Sequence, residues 1–81
     1  MTNLALYYIP TCPFCIKVLD HIETHQLVVE LRNKASQPEH EAELIKATGK
    51  GMVPCLRITS DSDDTWMHES SDIIAYLQSN H

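Results

Sequence analysis

At 81 residues, with 43% hydrophobic and 21% charged side chains and two glycines, the chain has the balance of one small globular domain and no room for a second. Its net charge of −5 is uneven, with three acids against three bases in residues 1–38 but eight against three in residues 39–81, which argues against a general nucleic-acid footprint. Three cysteines are an odd number and too few to staple a secreted mini-protein, so a reducing compartment is expected.

Met1-Thr2-Asn3 lacks the basic n-region of a secretory signal, and the apolar run Leu4 to Ile9 is far too short to span a bilayer. A soluble, cytoplasmic protein with no membrane partner is expected. The same run, with two aromatics, reads as a strand covered on both faces and therefore central in its sheet. Pro10-Thr11 breaks it. Cys15, Val18, Leu19 and Ile22 then recur at helical spacing, with Lys17, Asp20 and Glu23 on the opposite side, which predicts an amphipathic helix to about His25. Cys12 falls near its N-cap and Pro13 near its first turn, where a missing N–H costs nothing.

Leu27 to Leu31 is a second strand candidate, and a strand-helix-strand unit of this size favours a parallel pair. Ser36-Gln37-Pro38-Glu39 has capping-box spacing and opens a more polar helix through Glu41, Leu44 and Ile45 that stops at Thr48-Gly49. Val53 to Thr59 reads as a strand with Pro54 at its entry. The turn cluster Ser60 to Asp64 leads into a short strand Thr65-Trp66-Met67, making a hairpin. Ser70-Ser71-Asp72 caps a last helix whose buried stripe is Ile73, Ile74 and Leu77. The order βαβ, α, ββα, without repeats or linkers, predicts an α/β fold with a four-stranded mixed sheet and helices on both faces, one domain over residues 1–81.

Thr11-Cys12-Pro13-Phe14-Cys15 is the stretch that carries chemistry. Two thiols spaced by two residues either bind a metal or exchange electrons. A closed zinc site needs four ligands, and only Cys55 and five scattered histidines (His21, His25, His40, His68 and His81) remain, none at ligand spacing from the pair. No metal is expected, and redox use fits better. Unpaired amides and the positive end of the dipole at a helix N-terminus stabilise an anion, so Cys12 is the expected nucleophile. Cys15, one turn inside on the apolar face, is the expected resolving thiol.

With Met52-Val53-Pro54 downstream and Glu69-Ser70-Ser71-Asp72-Ile73 before the last helix, Thr-Cys-Pro-Phe-Cys resembles a glutaredoxin over nearly the whole chain. Met67 to Ile74 is most similar to glutathione-transferase-like glutaredoxins, whose thioredoxin-fold N-terminal domain has a Glu-Ser pair there. Those proteins continue into a helical domain, so the resemblance is to their first domain. It implies the thioredoxin/glutaredoxin fold and a glutathione-dependent thiol-disulfide oxidoreductase, with glutathione as co-substrate and disulfide-bearing or glutathionylated proteins as partners. A monomer is expected. The resemblance further implies a cis Val53-Pro54 peptide whose Val53 backbone pairs with glutathione, contacts from Thr11 and Phe14, and a γ-glutamyl site at Glu69, Ser70, Ser71 and Asp72. Locally, those four residues have a rationale of their own: a helix N-terminus and hydroxyls suit a carboxylate, and an acid suits an ammonium. Equally, Ser-Ser-Asp alone reads as a helix cap.

Two departures from the family pattern stand out. Ile9 occupies the place of a lysine that pairs with the thiolate or with glutathione, for which Lys17 or Arg57 could substitute or be plain surface charges, and Phe14 replaces a tyrosine. Losing that lysine leaves an alternative open, a glutathione-binding, transferase-like module with weak disulfide exchange. Iron-sulfur carriage by two protomers is a third reading, disfavoured by the stiff Pro13 loop. Cys55 reads as a small buried hydrophobe, with disulfide exchange as the sharper alternative; strand alternation points it away from the face of Pro54. The acidic run at Asp61 to Asp64 lacks the glycine and terminal glutamate of a calcium loop and reads as a turn.

Overall fold

The computed structural model describes residues 2–80. Strand β1 (Asn3–Tyr8) runs through the middle of a four-stranded sheet of order β2-β1-β3-β4. Strand β2 (Glu30–Asn33) lies parallel to β1, while β3 (Cys55–Thr59) and β4 (Asp64–Met67) follow antiparallel. Helices α1 (Pro13–Thr24), α2 (Pro38–Thr48) and α3 (Ser70–Asn80) complete the expected β-α-β-α-β-β-α order.

The side-chain alternation of β1 divides the core in two. Leu4 and Leu6 pack with Val18 and Ile22 of α1, Leu56 of β3, and Ile73 and Leu77 of α3. Ala5 and Tyr7 point the other way, against Leu44 of α2 and Cys55. Leu6 and Leu56 face each other across the β1–β3 ladder, both fully buried, each contributing roughly 1.5–3 kcal/mol. Helices thus cover both faces, and α2, which buries only Leu44, is the thin cover, as its polar sequence implies.

Helix α1 stops because Gln26 turns left-handed at φ 51°, which lets Gln26 N–H reach Glu23 O at 3.2 Å and Leu27 N–H reach Ile22 O at 3.0 Å. That is a Schellman exit, and Leu27 packs on the same core cluster as Ile22. The exit consumes residues the apolar pattern assigns to a strand. Strand β2 therefore starts at Glu30 rather than Leu27, and Val28 is 89% exposed. A second correction concerns α2. Its N-cap is Gln37, with Pro38 at the first turn, and the Ser36 hydroxyl donates to Asn33 O at 3.2 Å instead of closing a capping box. Its other end matches expectation: Gly49, at φ 81°, donates to Ile45 O at 2.7 Å. In the β3–β4 hairpin, Ser60 N–H donates to Asp63 O at 2.8 Å, so the acidic cluster is a turn.

On the α2 face, Tyr7 carries a polar network. Its hydroxyl donates to Glu43 and accepts from Arg32, which also donates to Glu43 at 2.7 Å. Arg57 makes two 3.0 Å bonds to Asp64 and lies 4.9 Å over the Trp66 ring, which in turn packs on Tyr7 at 5.3 Å. Burial, followed by the Glu43 bond, pushes the Tyr7 phenol up, so it stays a proton donor.

Candidate functional site

The register of the sheet gathers the site at one end. Tyr7 pairs with Cys55 and Leu56 with Met67. Past those pairs the chain leads on to Ile9 after β1, comes from Val53-Pro54 before β3 and runs to Glu69 after β4, all at the same end of the sheet. The Pro10-Thr11-Cys12 turn and the start of α3 therefore share the carboxyl end of β1, where ligands of α/β sheets collect.

Cys12 is the N-cap of α1: its carbonyl accepts from Ile16 N–H at 2.9 Å, and its own N–H donates to Ile9 O at 3.3 Å. Its thiol is partly exposed, whereas Cys15 is fully buried. Burial pushes the Cys12 thiol up, but the backbone N–H and thiol of Cys15 and the Phe14 N–H outweigh it and bring the pKa below the ordinary thiol value. The sulfur makes no cap hydrogen bond of ordinary geometry, so these amides act through weaker, charge-directed contacts. Cys15 moves the opposite way, pushed up to about 11 by burial and by the nearby Cys12, against a lowering pull from the Ile9 backbone and Lys34. One thiol is poised to ionise, and its neighbour holds its proton.

The Val53-Pro54 peptide is cis, as the glutaredoxin resemblance implies, with Pro54 buried and Met52 exposed beside it. Glu69 O accepts from Ile73 N–H at 2.9 Å, so Glu69 is the residue from which α3 starts, and Ser70, Ser71 and Asp72 form its first turn. Phe14 is 62% exposed on the first turn of α1, and Thr11 is exposed just before it. The residues named from the sequence thus share one end of the sheet. Cys55 does not join them: it is buried against Tyr7 and Leu44, and burial pushes it up to about 11.

Two residues escaped the sequence reading. Lys34 follows β2 directly, its N–H donating to Tyr8 O at 3.0 Å. Its ammonium donates to Gly51 O at 2.8 Å and pairs with Glu41 at 3.3 Å, and its charge reaches Cys15. Arg57 cannot stand in for the missing lysine, because Asp64 and Glu43 hold it on the α2 face, and Lys17 is exposed on α1. His68, between β4 and α3, is partly buried. Its Nε2 is buried without a hydrogen-bond partner, and burial lowers its pKa and keeps it neutral.

Cavities of about 620, 460 and 310 Å³ lie elsewhere, the first against Asn3, Arg32, Arg57 and Thr59 at the opposite end of the sheet. They are surface hollows remote from the thiols, and the reactive sulfur decides the site. Among the described residues no three His, Cys, Asp or Glu side chains converge as metal ligands, and no helix is long and apolar enough to cross a membrane.

Residues 6–81 match the family described as "Glutathione S-transferase, N-terminal domain". The chain belongs to that family. No curated protein matches it in sequence. Among solved structures it is similar to glutaredoxin 2 from Salmonella typhimurium in complex with glutathione, with 32% identity, a TM-score of 0.71, and 93% of this chain on 32% of that one. Maleylacetoacetate isomerase from Anaeromyxobacter dehalogenans, with glutathione in its active site, superposes with a TM-score of 0.74 at 21% identity, covering 99% of this chain and 38% of that chain. A glutaredoxin from Brucella melitensis gives 0.60 at 19% identity, covering 99% and 83%. The latter two likenesses show the fold alone, which is the thioredoxin fold shared by glutaredoxins and transferases. The chain spans about 38% of the length of the isomerase.

Proposed function

We propose that this transferase-family domain is a glutathione-dependent thiol-disulfide oxidoreductase acting through Cys12 and Cys15. The observation that carries the reading is the placement of the two thiols, Cys12 partly exposed at the N-cap of α1 and Cys15 fully buried behind it, which favours the thiolate at Cys12 and the thiol at Cys15. The glutathione-bound glutaredoxin 2, at 32% identity, supports it.

In this reading the Cys12 thiolate attacks the glutathione sulfur of a protein mixed disulfide. The S–S bond breaks, the protein thiolate leaves and takes a proton, and a Cys12–glutathione disulfide forms. A second glutathione thiolate attacks that disulfide, releasing oxidised glutathione and restoring Cys12. With a protein disulfide as substrate, the Cys12 thiolate attacks one sulfur and the other leaves and takes a proton. Cys15 then loses its proton and attacks Cys12 of that mixed disulfide, releasing the second protein thiol, and two glutathiones reduce the Cys12–Cys15 bond, leaving as oxidised glutathione. Glutathione lies along the Val53 backbone beside the cis peptide, near Thr11 and Phe14. Its γ-glutamyl carboxylate meets the first-turn amides and hydroxyls of Ser70 and Ser71, and its ammonium meets Glu69 and Asp72. A cytoplasmic glutathione pool supplies the electrons.

The second reading is a glutathione-binding module with weak exchange. The family match and the apolar Ile9 favour it. Turnover of a glutathionylated peptide by wild type, Cys12→Ser and Cys15→Ser decides. The oxidoreductase requires activity that Cys12→Ser abolishes, with Cys15→Ser retaining the monothiol route. Glutathione binding without turnover in the wild type transfers the assignment to the module.

A further inference from the structure

The far end of α1 carries a feature that the thiol chemistry does not use. His21 lies in the last turn of α1 and His25, four residues on, is its C-cap, its N–H donating to His21 O at 3.1 Å. Their ring centroids are 4.4 Å apart, with the planes tilted by 47°. Both rings line a hollow of about 310 Å³ between α1 and α3, together with Leu27, Leu77 and Gln78.

Paired histidines at this helical spacing can chelate one ion. Two imidazole nitrogens bound at about 2.0–2.1 Å would place each ring centre ~3.2 Å from the metal. Both rings can reach one ion only if their centres lie within ~6.4 Å of each other, and the centroids are 4.4 Å apart. The pair is therefore within chelating reach, and imidazole is a favoured ligand of copper(II) and nickel(II).

We propose that His21 and His25 form a two-imidazole site for a late first-row divalent cation, copper(II) or nickel(II), separate from the Cys12–Cys15 pair. Water completes the coordination, since no third His, Cys, Asp or Glu among the described residues joins the two rings. Gln78 lines the same hollow. Such a site is open and exchangeable, and an ion in it would tie the last turn of α1 to itself.

The test is calorimetric titration of nickel(II) chloride into the full chain carrying Cys12→Ser and Cys15→Ser, because the thiols would otherwise bind the metal themselves. One equivalent should bind. Adding His25→Asn, at an exposed position, or His21→Asn should weaken binding by about tenfold or more, equivalent to ~1.4 kcal/mol. Moving the second imidazole by His25→Asn with Glu23→His should not restore affinity, because side chains two apart do not face each other. Affinity unchanged in His25→Asn, or recovered in the shifted variant, overturns the site. With copper(II) in the same cysteine-free-site background, electron paramagnetic resonance should show coupling to two nitrogen donors, and a spectrum with fewer overturns it as well.

Discussion

Lys34 donates from Nζ to the Gly51 carbonyl oxygen at 2.8 Å, tying the end of β2 to the loop that leads into the cis Val53-Pro54 peptide. The same ammonium pairs with Glu41 of α2, so one side chain joins three parts of the fold around the thiols. Lys34→Met should cost about 1.5–3 kcal/mol, the range for hydrogen bonds to a charged group, with Lys34→Arg recovering part of it. Urea unfolding followed by the fluorescence of Trp66 measures this, and a Lys34→Met variant as stable as wild type would remove the clamp from the account. Loss of the charge should also move the Cys15 titration further above about 11.

The opposed thiols predict ordered alkylation. At pH 7 iodoacetamide should label Cys12 first in the folded protein, leaving Cys15 and Cys55 unmodified until denaturant is added. The rate should rise with pH through a midpoint below the ordinary thiol value, since the thiolate is the form present above the pKa. Peptide mapping by mass spectrometry identifies the site. Equal early labelling of Cys15 would contradict the assignment of roles.

Cys55 lies on the α2 face with its side chain wholly enclosed. Cys55→Ala should cost about 1 kcal/mol for lost packing and leave turnover of a glutathione mixed disulfide within about twofold of wild type. A large fall in turnover at unchanged stability would instead give Cys55 a part in disulfide exchange.

Glu43 sets a pH-dependent share of stability. The Tyr7 hydroxyl bond, opposed by burial and reinforced by Arg32 and Arg57, holds its carboxyl below the ordinary value of 4.5. A lowered folded pKa means the contribution is complete above that ordinary value and disappears as pH falls through the folded one. Glu43→Gln should therefore destabilise at pH 7 and approach wild type at an acid pH below the folded value, read from urea midpoints. An identical gap at both pH values would show that the charge is not what matters. Tyr7→Phe should cost about 1 kcal/mol and combine non-additively with Glu43→Gln.

The elements written most plainly in the sequence are those whose cause is local. The continuous apolar run of β1, the helical spacing of Cys15, Val18 and Ile22, and the left-handed stop at Gly49 each need only neighbouring residues, and each stands where the pattern puts it. Strand β2 does not, because its register is set by pairing Ala5 with Glu30 and by the turn at Gln26, a non-glycine residue carrying no stop signal. Pro38 outweighs the Ser36 capping spacing by fixing where α2 can begin. Lys34 was invisible as a site residue since its partners, Glu41 and Gly51, are brought to it by tertiary structure. The His21–His25 spacing, in contrast, was present in the chain and became informative only once both rings were seen to meet.

The sheet ends on either side in strands of only four residues, β2 and β4, each bonded to a single neighbour. Their free borders carry Glu30, Arg32 and Asp64, engaged in ion pairs along the rim. A second chain seeking to add a strand finds a short template studded with charge, which disfavours the sheet-to-sheet growth that leads to aggregation. The long apolar strand that would template such growth best, β1, is enclosed between two neighbours, so this small domain keeps its most adhesive segment out of reach at high concentration.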